Sequence, residues 1–274
     1  MLLSVIVANF NNAGYLSECL RSILAQSFSD LEILVADDAS TDASPNIIRE
    51  FEKKWPGKVR GIFSPVNRGV ARNRHDAILA SGGDYLTTLD SDDYYYDTRK
   101  LERELALSQS HVRESGREII AFSNTVAVGS KGDFICRLGT ADNIRQGHVL
   151  EAFLIRSCHI PRDFLLSRNA YFAAGGYDFS LRVREDWDLK IRLATRYEFR
   201  YTEGDGTGYR RHGRGLSALS SASAAEWEKW LRQVFSKNIV LAAPERRMEL
   251  SSRFEEFLKK RLAEMSAGQI AGEG

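Results

Sequence analysis

Cysteine is scarce in this 274-residue chain. Cys19, Cys136 and Cys158 are odd in number, widely spaced and form no C-x-x-C pair. That excludes a disulfide framework and argues against a structural zinc site, leaving small buried hydrophobes in a reducing compartment. A dominant sign of charge is also missing. The 38 basic and 37 acidic residues nearly cancel, to a formal +1. No global field steers the chain toward nucleic acid or another polyanion. No run approaches the roughly 18 apolar residues of a membrane span. The opening stretch Met1 to Asn9 has neither a basic n-region nor a long apolar core, so no signal peptide is expected. The expectation is a soluble, cytoplasmic protein, with attachment to the inner face of a membrane left open.

The residues that are present suit one large α/β domain with a small appendage: 43% are hydrophobic and 27% charged. Leu2 to Ala8 is an apolar run without alternation, which reads as a strand buried on both faces. Asn9 to Gly14 is turn chemistry. Leu16, Leu20, Ile23 and Leu24 then recur at helical spacing, giving a helix over 13–26. Leu31 to Ala36 is a second strand, running into Asp37-Asp38-Ala39-Ser40-Thr41-Asp42. Ser44 before Pro45 reads as an N-cap with proline at the first helical position, and a helix follows to about Lys54. A third strand is expected over 59–64, a helix over 69–80, and a fourth strand over 84–89 that ends in Asp90-Ser91-Asp92-Asp93. This alternation predicts a right-handed, mostly parallel sheet with helices on both faces. Further on come a helix to about Ser108, a strand over 119–128, and a loop over 129–148. Gly175-Gly176-Tyr177-Asp178 is a turn, 185–196 a helix and 204–215 a glycine-rich loop. Two amphipathic helices, broken near Pro244, close the chain, and 267–274 reads as frayed. Packing onto the core is the default for these helices, with a dimer contact or a membrane surface left open. Interleaved acids weaken the membrane option.

Ligands of an open parallel sheet bind beyond the carboxyl ends of the strands, where strand order reverses. Two expected strands end there in carboxylates, at Asp37-Asp38 and at Asp90/Asp92/Asp93. Crowded carboxylates repel unless a cation or hydrogen bonds compensate. Hard divalent cations prefer oxygen and commonly combine one or two carboxylates with substrate phosphates. The Asp90-Ser91-Asp92-Asp93 segment therefore reads as a place where Mn²⁺ or Mg²⁺ meets a diphosphate. The plainer alternative, acids capping the next turn, stays open at this point.

Several further segments fall in a recognisable order. They are Ser4 to Asn11, Ser22 to Phe28, Asp37 to Asp42, and Asn67-Arg68-Gly69-Val70-Ala71-Arg72-Asn73. Leu89 to Asp93, Gly175 to Asp178, Glu185-Asp186-Trp187-Asp188-Leu189 and Tyr209 to Ser217 complete the series. Together they resemble the inverting glycosyltransferases of family 2, which have the GT-A fold. The third segment resembles DDGSTD with Ala39 in place of glycine. The fourth resembles NxGxxxARN in shortened form. The last resembles YRxHxxSxS. The resemblance runs from about Leu3 to Ser217. It implies a GT-A domain over 1–217, with a nucleotide-sugar half to about 100 and an acceptor half beyond it. A helical extension over 218–274 follows.

The roles below are what the resemblance implies. Asp38 hydrogen-bonds the donor base, with Ala8, Asn9 and Phe10 lining the nucleotide pocket, while Asp37 orients the turn. Asp90, Ser91 and Asp92 hold ribose and metal, with Asp93 the rival metal ligand. Arg72 supports the donor pocket or its phosphates. Asp186 is the general base of a single displacement, with Glu185 beside it as the rival. His212 reaches metal or phosphate from a loop that covers the diphosphate. The donor is a nucleotide diphosphate sugar, most simply a UDP-sugar, and the acceptor a carbohydrate or glycolipid hydroxyl in polysaccharide or glycoconjugate synthesis. A catalytically inactive, nucleotide- or partner-binding relative is the alternative. A dinucleotide oxidoreductase is rejected, because the turn after the first strand lacks G-x-G-x-x-G. A nucleotidyltransferase is rejected because the glycine-rich basic loop is missing there.

Overall fold

A computed structural model describes residues 1–212 and 223–267. Gly213 to Ser217, which complete the last of the resembling segments, lie outside the described residues, as do 268–274. The main sheet contains β1 (Leu3–Asn9), β2 (Leu31–Asp37), β3 (Val59–Phe63), β4 (Tyr85–Asp90) and β8 (Leu166–Ser167), in the order β3-β2-β1-β4-β8. The first four are parallel and β8 is antiparallel to β4. All seven residues of β1 are buried, as an unalternating apolar run requires of a central strand. Chain order reverses between β1 and β4, so the crevice opens between their carboxyl ends. The pairing register sets what meets there: Asn9 lies opposite Asp37, and Ala8 opposite Asp90.

The crossovers are α1 (Ala13–Leu24), α2 (Ser44–Lys54) and α3 (Val70–Ala80). One side of the sheet packs Val5 and Val7 with Leu16, Leu20 and Ile23 of α1. The other packs Ile6 and Leu34 with Ala71, Ala77 and Ile78 of α3. This larger core also takes in α7 (Glu185–Ala194), α8 (Ala224–Asn238) and α9 (Arg247–Ser266), through Trp187, Leu231, Phe235, Leu250 and Phe254. Phe235 of α8 and Phe254 of α9 stack at 3.9 Å. The two C-terminal helices thus complete the hydrophobic core.

A second sheet, in the order β5-β9-β6-β7, matches expectation only in its strand over 119–128. It is formed by β5 (Tyr94–Tyr95), β6 (Ile119–Val128), β7 (Phe134–Arg137) and β9 (Glu198–Arg210). The segment 129–148, expected to be all loop, contains β7. Most of the described part of the expected 204–215 loop is the end of β9. Glycine suggested a loop there, but tertiary crowding is what requires it. A Cβ on Gly206 would lie 2.6 Å from the Ser123 Cβ, and one on Gly208 2.7 Å from the Tyr94 ring. Two helices also differ at their ends. The cap of α2 is Ala43, and the Asp42 carboxylate accepts the Ser44 N–H at 2.9 Å, so Asp42 does the work expected of Ser44. The helix α4 (Lys100–Ser115) runs well past Ser108 and stops at Gly116 in the left-handed conformation.

Candidate active site

One edge of the crevice is built from strand ends. Asn9 donates to Asp37 at 2.7 Å, and Asp37 accepts the Ser40 N–H at 3.1 Å, so Asp37 does orient the turn. Asp38 is buried and accepts the N–H groups of Arg68 and Gly69 at 2.9 and 2.8 Å. These bonds tie the turn after β2 to the start of α3. Each carboxylate oxygen keeps a second lone pair for a ligand. Ala39 has φ +62°, the left-handed region where its resemblance partner has glycine. Ala8 is buried and Phe10 half exposed beside this turn.

Asp90, Asp92 and Asp93 bring one carboxylate oxygen each within 4.8 Å of one another. Ser91 faces inward and accepts from Asn12 at 3.0 Å. Two arginines flank Asp90. The Arg74 guanidinium donates to one oxygen, and Arg162 lies 2.7 Å from the other. Burial opposes ionisation of Asp90, but Arg162 and Arg74 outweigh it and hold its carboxyl below the usual range. Asp93 behaves in the opposite way. Burial and then Asp92 push its carboxyl well above the ordinary range, although the Arg210 N–H donates to it at 2.8 Å. His212 lies 2.9 Å from Asp92, with its ring against Tyr15.

Arg72 is not among the residues brought together. Its side chain is exposed, paired with Asp76 at 3.1 Å and set over the Phe179 ring. The α3 arginine that reaches the site is Arg74, with a side chain only 2% exposed. Two signals in the sequence pointed to it. Counted from Gly69, the spacing of NxGxxxARN places its arginine at 74, with no shortening. Arg74 also falls on the apolar stripe of α3 with Ala71 and Ile78, and a charge on such a stripe must be paired.

The opposite edge of the crevice comes from distant parts of the chain. Arg74 reaches Glu185 at 2.6 Å, which binds α7 to α3 across the crevice. Burial nevertheless pushes the Glu185 carboxyl above its ordinary range. Asp186 lies beside it with 26% of its side chain exposed and pairs with Lys190 at 3.0 Å. Burial opposes its ionisation, but Lys190 and Arg162 win and hold the carboxyl well below the usual range. The residue before this pair, Arg184, has φ +66°. Farther along α7, Asp188 is fully buried. It accepts from Asn238 of α8 at 2.8 Å and pairs with Arg192 at 2.6 Å. Lys237 then joins Asp188, at 2.8 Å, to Asp178 of the 175–178 turn, at 2.6 Å. Sequence reading missed Arg162, Lys190, Lys237 and Asn238. Each acts through a partner far away in the sequence or on a helix face, with no short motif to mark it.

An all-carboxylate oxygen set of this spacing is the donor chemistry that Mg²⁺ and Mn²⁺ take, and the site fits either ion. Among the described residues no helix is long and apolar enough to cross a membrane. All three cysteines are free thiols.

The glycosyl transferase family 2 model matches residues 4–114. An uncharacterized glycosyltransferase of Nostoc sp. is 37% identical over 110 residues, which are 40% of this chain and 34% of the relative. A poly(ribitol-phosphate) beta-glucosyltransferase of Bacillus spizizenii is 35% identical over 96 residues, 34% of this chain and 15% of the relative. The chain spans about a third of the length of the first of these and less of the second. Among solved structures, residues 1–349 of S. aureus TarS with UDP superpose with a TM-score of 0.67 at 18% identity, covering 96% of this chain and 72% of that one. The same protein with UDP-GlcNAc gives 0.67, again at 18%, covering 96% and 73%. At that identity the likeness shows the fold, GT-A.

Proposed function

We propose that this chain, whose residues 4–114 match the glycosyl transferase family 2 model, is a member of that family and moves a sugar from a nucleotide diphosphate donor to an acceptor hydroxyl with inversion. The observation that carries the reading is the meeting of two acidic groups across one crevice: the Asp90/Asp92/Asp93 triad and a separately held, solvent-reaching Asp186. One group suits a cation and a diphosphate, the other a reacting hydroxyl.

Asp38, Asn9 and Ala8 stand where a base and ribose would bind, and UDP is the donor nucleotide we favour. TarS was solved with UDP and with UDP-GlcNAc, which makes these the first ligands to test. Mn²⁺ or Mg²⁺ on Asp92, with Asp90 or Asp93, would neutralise charge on the departing diphosphate. His212 stands beside Asp92 as a further ligand or phosphate donor. Asp186 takes the proton of the acceptor hydroxyl. A carboxylate held this acidic accepts late, once the forming C–O bond has acidified that proton. Glu185 is the weaker candidate for base, because Arg74 occupies it and it is buried. The acceptor is a carbohydrate or glycolipid. The donor half lies over about 1–100, the acceptor half over about 101–217, and α8 with α9 supports the acceptor side.

The test is release of UDP from UDP-GlcNAc in the presence of Mn²⁺ and a panel of glycan acceptors, with Asp186→Asn as control. Transfer by the wild type and loss of at least about a hundredfold in the variant supports the reading. Equal turnover by both would remove Asp186 from the base role.

A further inference from the structure

Arg162 belongs to none of the resembling segments. It lies between α5 (Leu150–Leu154) and β8, and its backbone is pinned. The Arg162 carbonyl accepts from the Thr88 hydroxyl at 3.2 Å. The next carbonyl, of Asp163, accepts from Thr87 at 3.1 Å and from the buried Lys100 ammonium at 2.8 Å. The Asp163 carboxylate is buried and holds the Thr207 hydroxyl. From this fixed base the Arg162 side chain extends to the triad, 2.7 Å from Asp90 and 3.6 Å from Asp93, with its guanidinium over the Tyr209 ring.

The two arginines on Asp90 differ. Arg74 is 2% exposed and locked by its second salt bridge, to Glu185. Arg162 is 26% exposed, its second contact is loose, and it also acts on Asp186. Three carboxylates this close repel, and Arg162 is the compensating charge on the open side of the cluster. A divalent ion on Asp90 or Asp93 would bring positive charge against the same oxygens that Arg162 now faces, and the two cations repel. A guanidinium released from them keeps its planar donors and requires another anion. On the nucleotide-sugar reading, a diphosphate arrives with the ion.

We propose that Arg162 is an exchangeable counter-cation of the triad: it neutralises Asp90 in the empty site and passes to the donor diphosphate when metal and nucleotide bind. The inference rests on the function proposed above and adds a residue that couples the two ligands. Exchange makes opposite demands on the two affinities. Removing the guanidinium frees the triad for metal alone and weakens the nucleotide.

The experiment is calorimetric titration of Mn²⁺ alone, and of UDP in saturating Mn²⁺, into the wild type, Arg162→Ala and Arg162→Lys. Circular dichroism and melting confirm that each is folded. Arg162→Ala should bind Mn²⁺ alone about tenfold more tightly and UDP about tenfold more weakly. Arg162→Lys keeps the charge but loses the fork. It should bind Mn²⁺ like the wild type and still bind UDP more weakly. Both affinities unchanged, or both weakened in Arg162→Ala, would overturn the exchange. The second pattern would make Arg162 a support for the triad. A wild type that binds no UDP is a different result, because it removes the donor site on which the inference stands.

Discussion

The proposed donor edge of this crevice, at the ends of β1 and β2, and the proposed acceptor edge, at α7, are held by different means. At the donor edge, carboxylates sit where parallel strands end, and backbone N–H groups satisfy them. Asp37 serves Ser40, and Asp38 serves Arg68 and Gly69. At the acceptor edge, side chains meet across the whole chain: Arg74 with Glu185, and Asp188 with Asn238. The first kind of edge follows from strand register and tolerates side-chain change on its flanks. The second depends on buried charge pairs, which are costly to break singly.

The sharpest way to break the comparison is at the point where the two edges touch. Arg74→Met leaves both Asp90 and Glu185 without a cation they are built around. It should destabilise the fold by about 3–5 kcal/mol, seen as a fall in chemical-denaturation midpoint. Arg72→Met, two residues away but exposed, should change it by less than about 0.5 kcal/mol. Equal effects would refute the assignment of Arg74. Asn238→Ala removes a donor from the fully buried Asp188 and should cost about 1–3 kcal/mol in the same measurement. It should also lower turnover, while leaving UDP affinity alone, since it acts only on the acceptor edge.

Lys190→Met sharpens the comparison through pH. The carboxyl of Asp186 is held below the usual range, so transfer should persist as pH falls through about 4, where a free carboxyl would be protonated. Without Lys190, burial has less opposing it and the carboxyl rises. The acid limb of the turnover profile should move upward in the variant, and an unmoved limb would show that another group titrates. The smallest effect belongs to the donor edge. Ala39→Gly relieves a left-handed alanine and should stabilise by at most about 1 kcal/mol, read as a small rise in Tm.

The same contrast explains what was legible in the sequence. The strands β1 and β2 were readable because two-faced burial writes a mostly apolar run, and β3 and β4 followed from the alternation with helices and from the acidic turn after β4. Of the second sheet only β6, expected as a strand over 119–128, was readable. Gly206 and Gly208 look like loop residues until Ser123 and Tyr94 are seen against them. Asp38, Asp90, Asp92 and Asp186 were named because each sits in a short local segment. Arg162 and Asn238 were missed because nothing near them in the chain shows which carboxylate they meet, and Lys190 was missed although it lies four residues from Asp186 on the same helix. Arg74 was missed although its helical stripe marked it.

The central claim is that the strand-end carboxylates form a metal-dependent nucleotide-diphosphate site. Calorimetric titration of UDP into the protein with Mn²⁺, and again with EDTA, tests it most directly. Binding with Mn²⁺ that is lost or weakened at least tenfold in EDTA is the predicted result. No UDP binding by folded protein in Mn²⁺, or binding indifferent to the chelator, would contradict it.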